Sequence, residues 1–172
     1  MTGIPDLKGS VTLPRVRYFP AQPVLVRHAD MPMAEIDSEG PAILRDVLTH
    51  IATNGIAETG PAFFRYDVVD MGGTMSMSFG AQVAEGTAGK GDIRLETLPA
   101  GRYVTVTHRG HPAELYDVTV MLMAWAKMRG VQWDVTETPE GDRFAARLEF
   151  YQNGPDDPPE NWTTEIRIRL RE

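Results

Sequence analysis

The chain runs through the same order of elements twice, and that repetition constrains its fold more than any other feature. Residues 24–28 and 103–108 are β-type runs that end in histidine, His28 and His108. Each leads into a helical stretch. A glycine and an aliphatic residue follow, Gly55-Ile56 and Gly130-Val131, and then a pair of strands. The pattern predicts two β-α-β-β units. Neither unit alone can cover both its sheet and its helix, so the two must share a core. Side by side they make an α+β fold: two pseudo-symmetric halves forming one antiparallel sheet, with two helices on one face. The groove between the helices is the natural place for a ligand pocket. With only two copies, spaced more widely than the common solenoid repeats, the pattern reads as a duplication and not an array.

The elements follow from local periodicity. Ile36, Ile43, Leu44, Val47, Leu48 and Ile51 recur at helical spacing. Gly40-Pro41 interrupts, so the long helix is expected to start near Pro41, where proline suits a first turn, and to close at Gly55. In the second half, residues 112–129 read as a helix. Leu115, Val118, Leu122, Trp125 and Met128 make one apolar stripe, broadened by Met121 and Ala126. Strands are expected at 62–69, 75–83, 93–98, 131–136, 144–151 and 163–170, with a hairpin turn at Met71-Gly72-Gly73-Thr74. Residues 1–20, punctuated by Gly3, Pro5, Pro14 and Pro20, read as an irregular arm with one edge strand at 16–19. The remainder, 21–172, reads as the domain, with halves at roughly 21–85 and 92–172. The glycine-rich stretch 86–92 is a connector. A phosphate loop would need glycine at Ala84, and Gly91 stands where Ser or Thr should follow Lys90.

Composition narrows the function. The formal charge is −7, from 17 Lys+Arg against 24 Asp+Glu. Nucleic-acid affinity comes largely from neutralising phosphates, so no nucleic-acid binding by this chain alone is expected. The acidic balance suits hydrophobic or cationic small molecules better. There is no cysteine. That excludes disulfides, thiolate metal sites and a cysteine nucleophile, and it fits a cytoplasmic setting. Met1 to Ser10 lack the apolar core of a signal peptide. No run of about 18 apolar residues offers a membrane span. His108 and His111 have no third ligand nearby in sequence, so no metal is expected. No G-x-S-x-G elbow occurs, and no cofactor is expected.

Phe64 and Tyr66 share one strand face, and Met75, Met77 and Phe79 share another. Met121 and Trp125 lie on the second helix. For each of these residues taken singly, core filling is the plainer reading, although methionine-rich walls adapt to varied shapes. Between 147 and 151, alternation puts Arg147, Glu149 and Tyr151 on one face and Leu148 and Phe150 on the other. The residues alone leave two readings of Glu149. It is a solvent-facing partner of Arg147, worth little, or it is a buried acid that attracts a cation.

Three separated stretches carry a family likeness. The first is Leu98-Pro99-Ala100-Gly101-Arg102-Tyr103, followed by His108-Arg109-Gly110 and Trp125. The second is Ala146-Arg147-Leu148-Glu149-Phe150-Tyr151-Gln152-Asn153-Gly154-Pro155. The third is Trp162-Thr163-Thr164-Glu165-Ile166-Arg167-Ile168-Arg169-Leu170. In that order they resemble the GyrI-like small-molecule-binding domain, over roughly residues 20–170. The resemblance implies a multidrug or effector-binding pocket with aromatic walls around a buried acid, and Glu149 occupies the acid's position. With the strand faces above, it points to Glu149, Phe64, Tyr66, Met75, Met77, Met121, Trp125 and Tyr151 as ligand-binding residues. It also implies two alternatives. One is a cofactor-independent hydrolase of cyclopropane-bearing natural products, with Glu149 catalytic. The other is an inhibitor protein acting on a macromolecular partner. The chain departs from the family at His111-Pro112, where a Pro-Tyr pair is usual.

Overall fold

In the computed structural model, residues 5–154 and 156–172 are described, so Gly3 of the arm and Pro155 of the second stretch lie outside the described residues. The first half runs β1 (Ser10–Val11), β2 (Arg15–Phe19), β3 (Gln22–Pro32), α1 (Ile36–Thr53), β4 (Glu58–Val69), β5 (Thr74–Val83) and β6 (Ile93–Leu98). The second runs β7 (Gly101–Arg109), α2 (Leu115–Met128), β8 (Val135–Thr138), β9 (Gly141–Phe144), β10 (Arg147–Tyr151) and β11 (Thr163–Arg169). The strands join in a mostly antiparallel open sheet whose main path is β1-β7-β11-β10-β4-β5-β3-β6. From β7 to β3 this order is a palindrome. Exchanging β3 with β7, β4 with β10 and β5 with β11 returns the same path, so a pseudo-two-fold axis runs between β4 and β10.

The repeated histidines depart from that symmetry: His28 shares the helix-free face with Val24 and Val26, whereas His108 shares the α2 face with Val104 and Val106. His28 on β3 stands opposite Ser78 on β5, and His108 on β7 stands opposite Thr164 on β11. Each histidine sets its Nε2 against a carboxylate, Glu96 at 2.7 Å and Glu114 at 2.8 Å. Glu114 also accepts the backbone N–H groups of Lys8 and Gly9, which fastens the arm to the start of α2. The arm then adds β1 and β2 to the free edge of β7.

Both faces of the sheet are buried. On one, Phe64, Met75, Met77 and Phe79 pack beneath Ile36, Ile43 and Leu44 of α1. On the same face Val104, Val106, Ile166 and Ile168 pack beneath Leu115, Val118 and Leu122 of α2. Tyr151 touches both clusters. The opposite face carries its own core of Val24, Val26, Phe63, Leu98, Tyr103, Leu148 and Phe150. No helix covers it. The sheet covers it by curling, because β6 and β7, near opposite ends of the strand order, are joined through Pro99-Ala100 alone.

Four expectations change. First, α1 begins at Ile36, not near Pro41, and Pro41 lies inside it. Burial of Ile36 (4% exposed) among Phe64 and the methionines holds the first turn, and that packing offsets the helical N–H that proline cannot donate. Second, the run 144–151 is broken. Phe144 ends the extra hairpin β8–β9, which adds to the sheet beside β4, and β10 starts at Arg147. Third, the strand expected at 131–136 starts only at Val135. Fourth, the buried stripe of α2 is Leu115, Val118, Leu122 and Ala126. Met128 is 84% exposed, because at about 100° per residue it falls well round the helix from that stripe.

Candidate functional site

Glu149 lies on β10, directly beside the pseudo-two-fold axis, opposite Phe64 of β4 on one side and Ile166 of β11 on the other. Phe64 belongs to the α1 cluster and Ile166 to the α2 cluster. Glu149 therefore points to the helix-bearing face, on the line between the helices, and is 9% exposed. No ion pair with Arg147 forms within 4.0 Å among the described residues, which removes the solvent-facing reading. Instead Tyr151 donates its hydroxyl to the carboxylate at 2.7 Å, and the Tyr66 hydroxyl bears on the same group.

Burial pushes the Glu149 carboxyl above the ordinary carboxylate value, against the Tyr151 and Tyr66 hydroxyls and the charge of Arg147, which pull it down. Burial also raises both tyrosines well above their usual range, and the neighbouring carboxylate adds to the shift. The rings build the walls. Phe64 packs edge-on against Phe79 at 4.7 Å and against Tyr151 at 5.0 Å, and Trp162 approaches Tyr151 at 6.4 Å. Gly40 lets α1 descend onto this floor. A Cβ there would stand 2.8 Å from Phe79 and 2.9 Å from Phe64.

Of the residues expected at the site, Glu149, Tyr151, Phe64, Tyr66, Met75 and Met77 meet on this floor. Trp125 packs in the α2 cluster that Tyr151 also touches. Met121 is 51% exposed on α2 and stands apart from both clusters. Sequence reasoning left out three participants. Arg147 lies over the rings of Tyr66 and Phe144, at 5.5 and 4.9 Å. Trp162 adds an edge, and Asp37 in the first turn of α1 adds negative charge. Alternation already tied Arg147 to Glu149, so once one is inside the other follows.

Two hollows lie elsewhere. One, of ≈ 430 Å³, sits at the end of α1 between His50, Asn54 and Gly89-Lys90. The other, of ≈ 20 Å³, lies beside Phe19, Tyr103 and Phe150. Glu149 lines neither, being covered by its own tyrosines. On the sheet's other face, Ser78, His28 and Glu96 form a hydrogen-bonded row. Ser78 is fully buried there and gives its hydroxyl to Asp67, so it is no nucleophile. Among the described residues, no helix is long and apolar enough to cross a membrane.

The fold is shared with solved structures. EcmrR in its DNA complex aligns with a TM-score of 0.73 at 20% identity, over 93% of this chain and 57% of that one. This chain therefore spans little more than half the length of that relative. The isolated EcmrR C-terminal domain aligns at 0.70 and 20% identity, over 93% and 98% of the two chains. SAV2435 bound to tetraphenylphosphonium aligns at 0.61 and 11%, over 93% and 94%. A hydrolase from Listeria innocua aligns at 0.58 and 12%, over 92% and 91%. At such identities the likeness is one of fold. No curated protein matches the chain. The sequence pattern of the GyrI-like small molecule binding domain matches residues 13–171, and on that match, together with the shared fold, the chain belongs to the GyrI-like family.

Proposed function

We propose that this protein captures bulky aromatic small molecules between α1 and α2, with Glu149 meeting a cationic or hydrogen-bond-donating group of the ligand. The observation that carries the reading is a buried carboxylate at the centre of a duplicated fold, ringed by Tyr66, Tyr151 and Phe64. A lone acid is costly to bury unless something compensates its charge, and a ligand cation does so. Met75 and Met77 in the floor let the walls repack around different shapes, which suits a multidrug-like range. Because the tyrosines cover the acid, a ligand enters by displacing rings.

A panel of fluorescent aromatic dyes tests this. Binding tighter than about millimolar is expected, a modest demand of about 4 kcal/mol. Glu149→Gln keeps the shape and removes the charge. It should weaken a cationic dye by about one to two decades, the worth of one charge-assisted contact, and spare a neutral dye of similar shape. Equal loss for both dyes would point to a disturbed fold and count against the reading.

A second reading rests on the same carboxyl. Raised above the ordinary carboxylate value by burial and held by the Tyr151 hydroxyl, Glu149 is suited to giving a proton to a bound electrophile as water adds to it. Such a protein would hydrolyse strained, cyclopropane-bearing natural products without a cofactor. Turnover that persists in Glu149→Gln would exclude this role.

A further inference from the structure

The sheet holds several partly buried arginines, and all but one have carboxylate partners. Arg65 pairs with Asp67 at 2.6 Å and Glu96 at 2.7 Å. Arg167 pairs with Glu165, and Arg169 with Asp134 and Glu172. Arg147 is the exception. Among the described residues it has neither an ion-pair partner nor a hydrogen-bond acceptor. Its guanidinium rests only on the rings of Tyr66 and Phe144. An arginine carries five N–H donors and keeps its charge. Arg147 is only partly buried, so its donors face solvent and are open to a ligand acceptor.

Alternation places Arg147 on the same face as Glu149, two residues along β10. Two residues of strand separate the groups by about 7 Å. The floor between the helices thus offers an acid and an unpaired cation side by side.

We infer that Arg147 is a specificity-determining residue that takes an anionic group of the ligand, a carboxylate or sulfonate on an aromatic frame. This rests on the reading that the ligand lies between α1 and α2. It also refines that reading: a preferred ligand carries an anionic group beside the group that meets Glu149. The guanidinium lies near the rings of Tyr66 and Phe144, at 5.5 and 4.9 Å, and its planar fork suits two-point recognition of a carboxylate.

Two dyes with the same skeleton test this on the full chain. 8-Anilinonaphthalene-1-sulfonate carries one anionic group, and N-phenyl-1-naphthylamine is the same frame without it. The wild-type protein should bind the sulfonate at least about tenfold more tightly, the fold-change expected of one charge-assisted contact, and each dye should displace the other. Arg147→Met should abolish that preference while keeping the affinity for the neutral dye. Arg147→Lys, which retains the charge and guards against a packing effect of methionine, should keep part of the preference. Equal affinities in the wild type, or a sulfonate preference that survives Arg147→Met, would overturn the inference while leaving the groove reading intact. Failure of both dyes to bind the wild type would overturn both.

Discussion

Glu149 concentrates the physics of this molecule in one side chain. Its carboxyl holds its proton more tightly in the folded protein than the ordinary value of about 4.3. Between that value and the raised folded one, the native state binds more protons than the unfolded chain. Stability is therefore fully present at the acid end and is lost as pH rises through the folded value. Glu149→Gln mimics the protonated form and has no such dependence. We expect the variant to be more stable than the wild type at pH 8, by about 1 kcal/mol, the scale on which buried polar groups are felt. The advantage should shrink towards pH 4. Urea unfolding across that range checks it, and an advantage that does not vary with pH would show that the buried carboxyl is not its source. The residue's chemistry was legible early, but its direction was not. Alternation grouped Arg147, Glu149 and Tyr151 without saying which face they shared, because β10 has core on both sides: Leu148 and Phe150 enter one, Tyr151 the other.

At the scale of elements, α1 shows how packing overrides local preference. Gly40-Pro41 reads as a break, yet the helix runs through it. Glycine inside a helix ordinarily costs about 1 kcal/mol relative to alanine, so Gly40→Ala would be expected to stabilise. Here the sign should reverse. The new methyl would meet the edges of Phe64 and Phe79 at 2.8–2.9 Å, and forced overpacking costs about 1–3 kcal/mol. A lower midpoint in thermal or urea unfolding is the expected outcome, and a raised midpoint would contradict the close approach of α1 to the floor. The β8–β9 hairpin was missed for a related reason. Its strands have four residues each and alternate weakly, and they persist because β9 pairs with Val68 and Val69 of β4. A partner so distant in sequence leaves no local signal.

For the whole molecule, the charge of −7 predicts no binding of this chain alone to duplex DNA. The arm is committed to the edge of β7 and to Glu114. Fluorescence anisotropy with labelled duplex should detect no binding at micromolar protein and low salt. A salt-sensitive rise in anisotropy would contradict this. The EcmrR relative in its DNA complex is longer, and this chain spans 57% of it.

The sequence by itself determined the repeated order of elements, the antiparallel α+β layout and the residue types of the floor. These rest on periodicity within about ten residues and on an order of elements repeated along the chain. Only the tertiary structure decided where that order converges. The palindromic strand path sets β10 against β4, which brings Glu149 between the two helix clusters and Tyr66 from the other half onto its carboxylate. The same pairing leaves Arg147 on two aromatic rings, with no ion-pair partner among the described residues. Contacts between residues some eighty positions apart depend on which strands become neighbours, and that choice is made by burying both faces of the sheet at once, which no local pattern encodes.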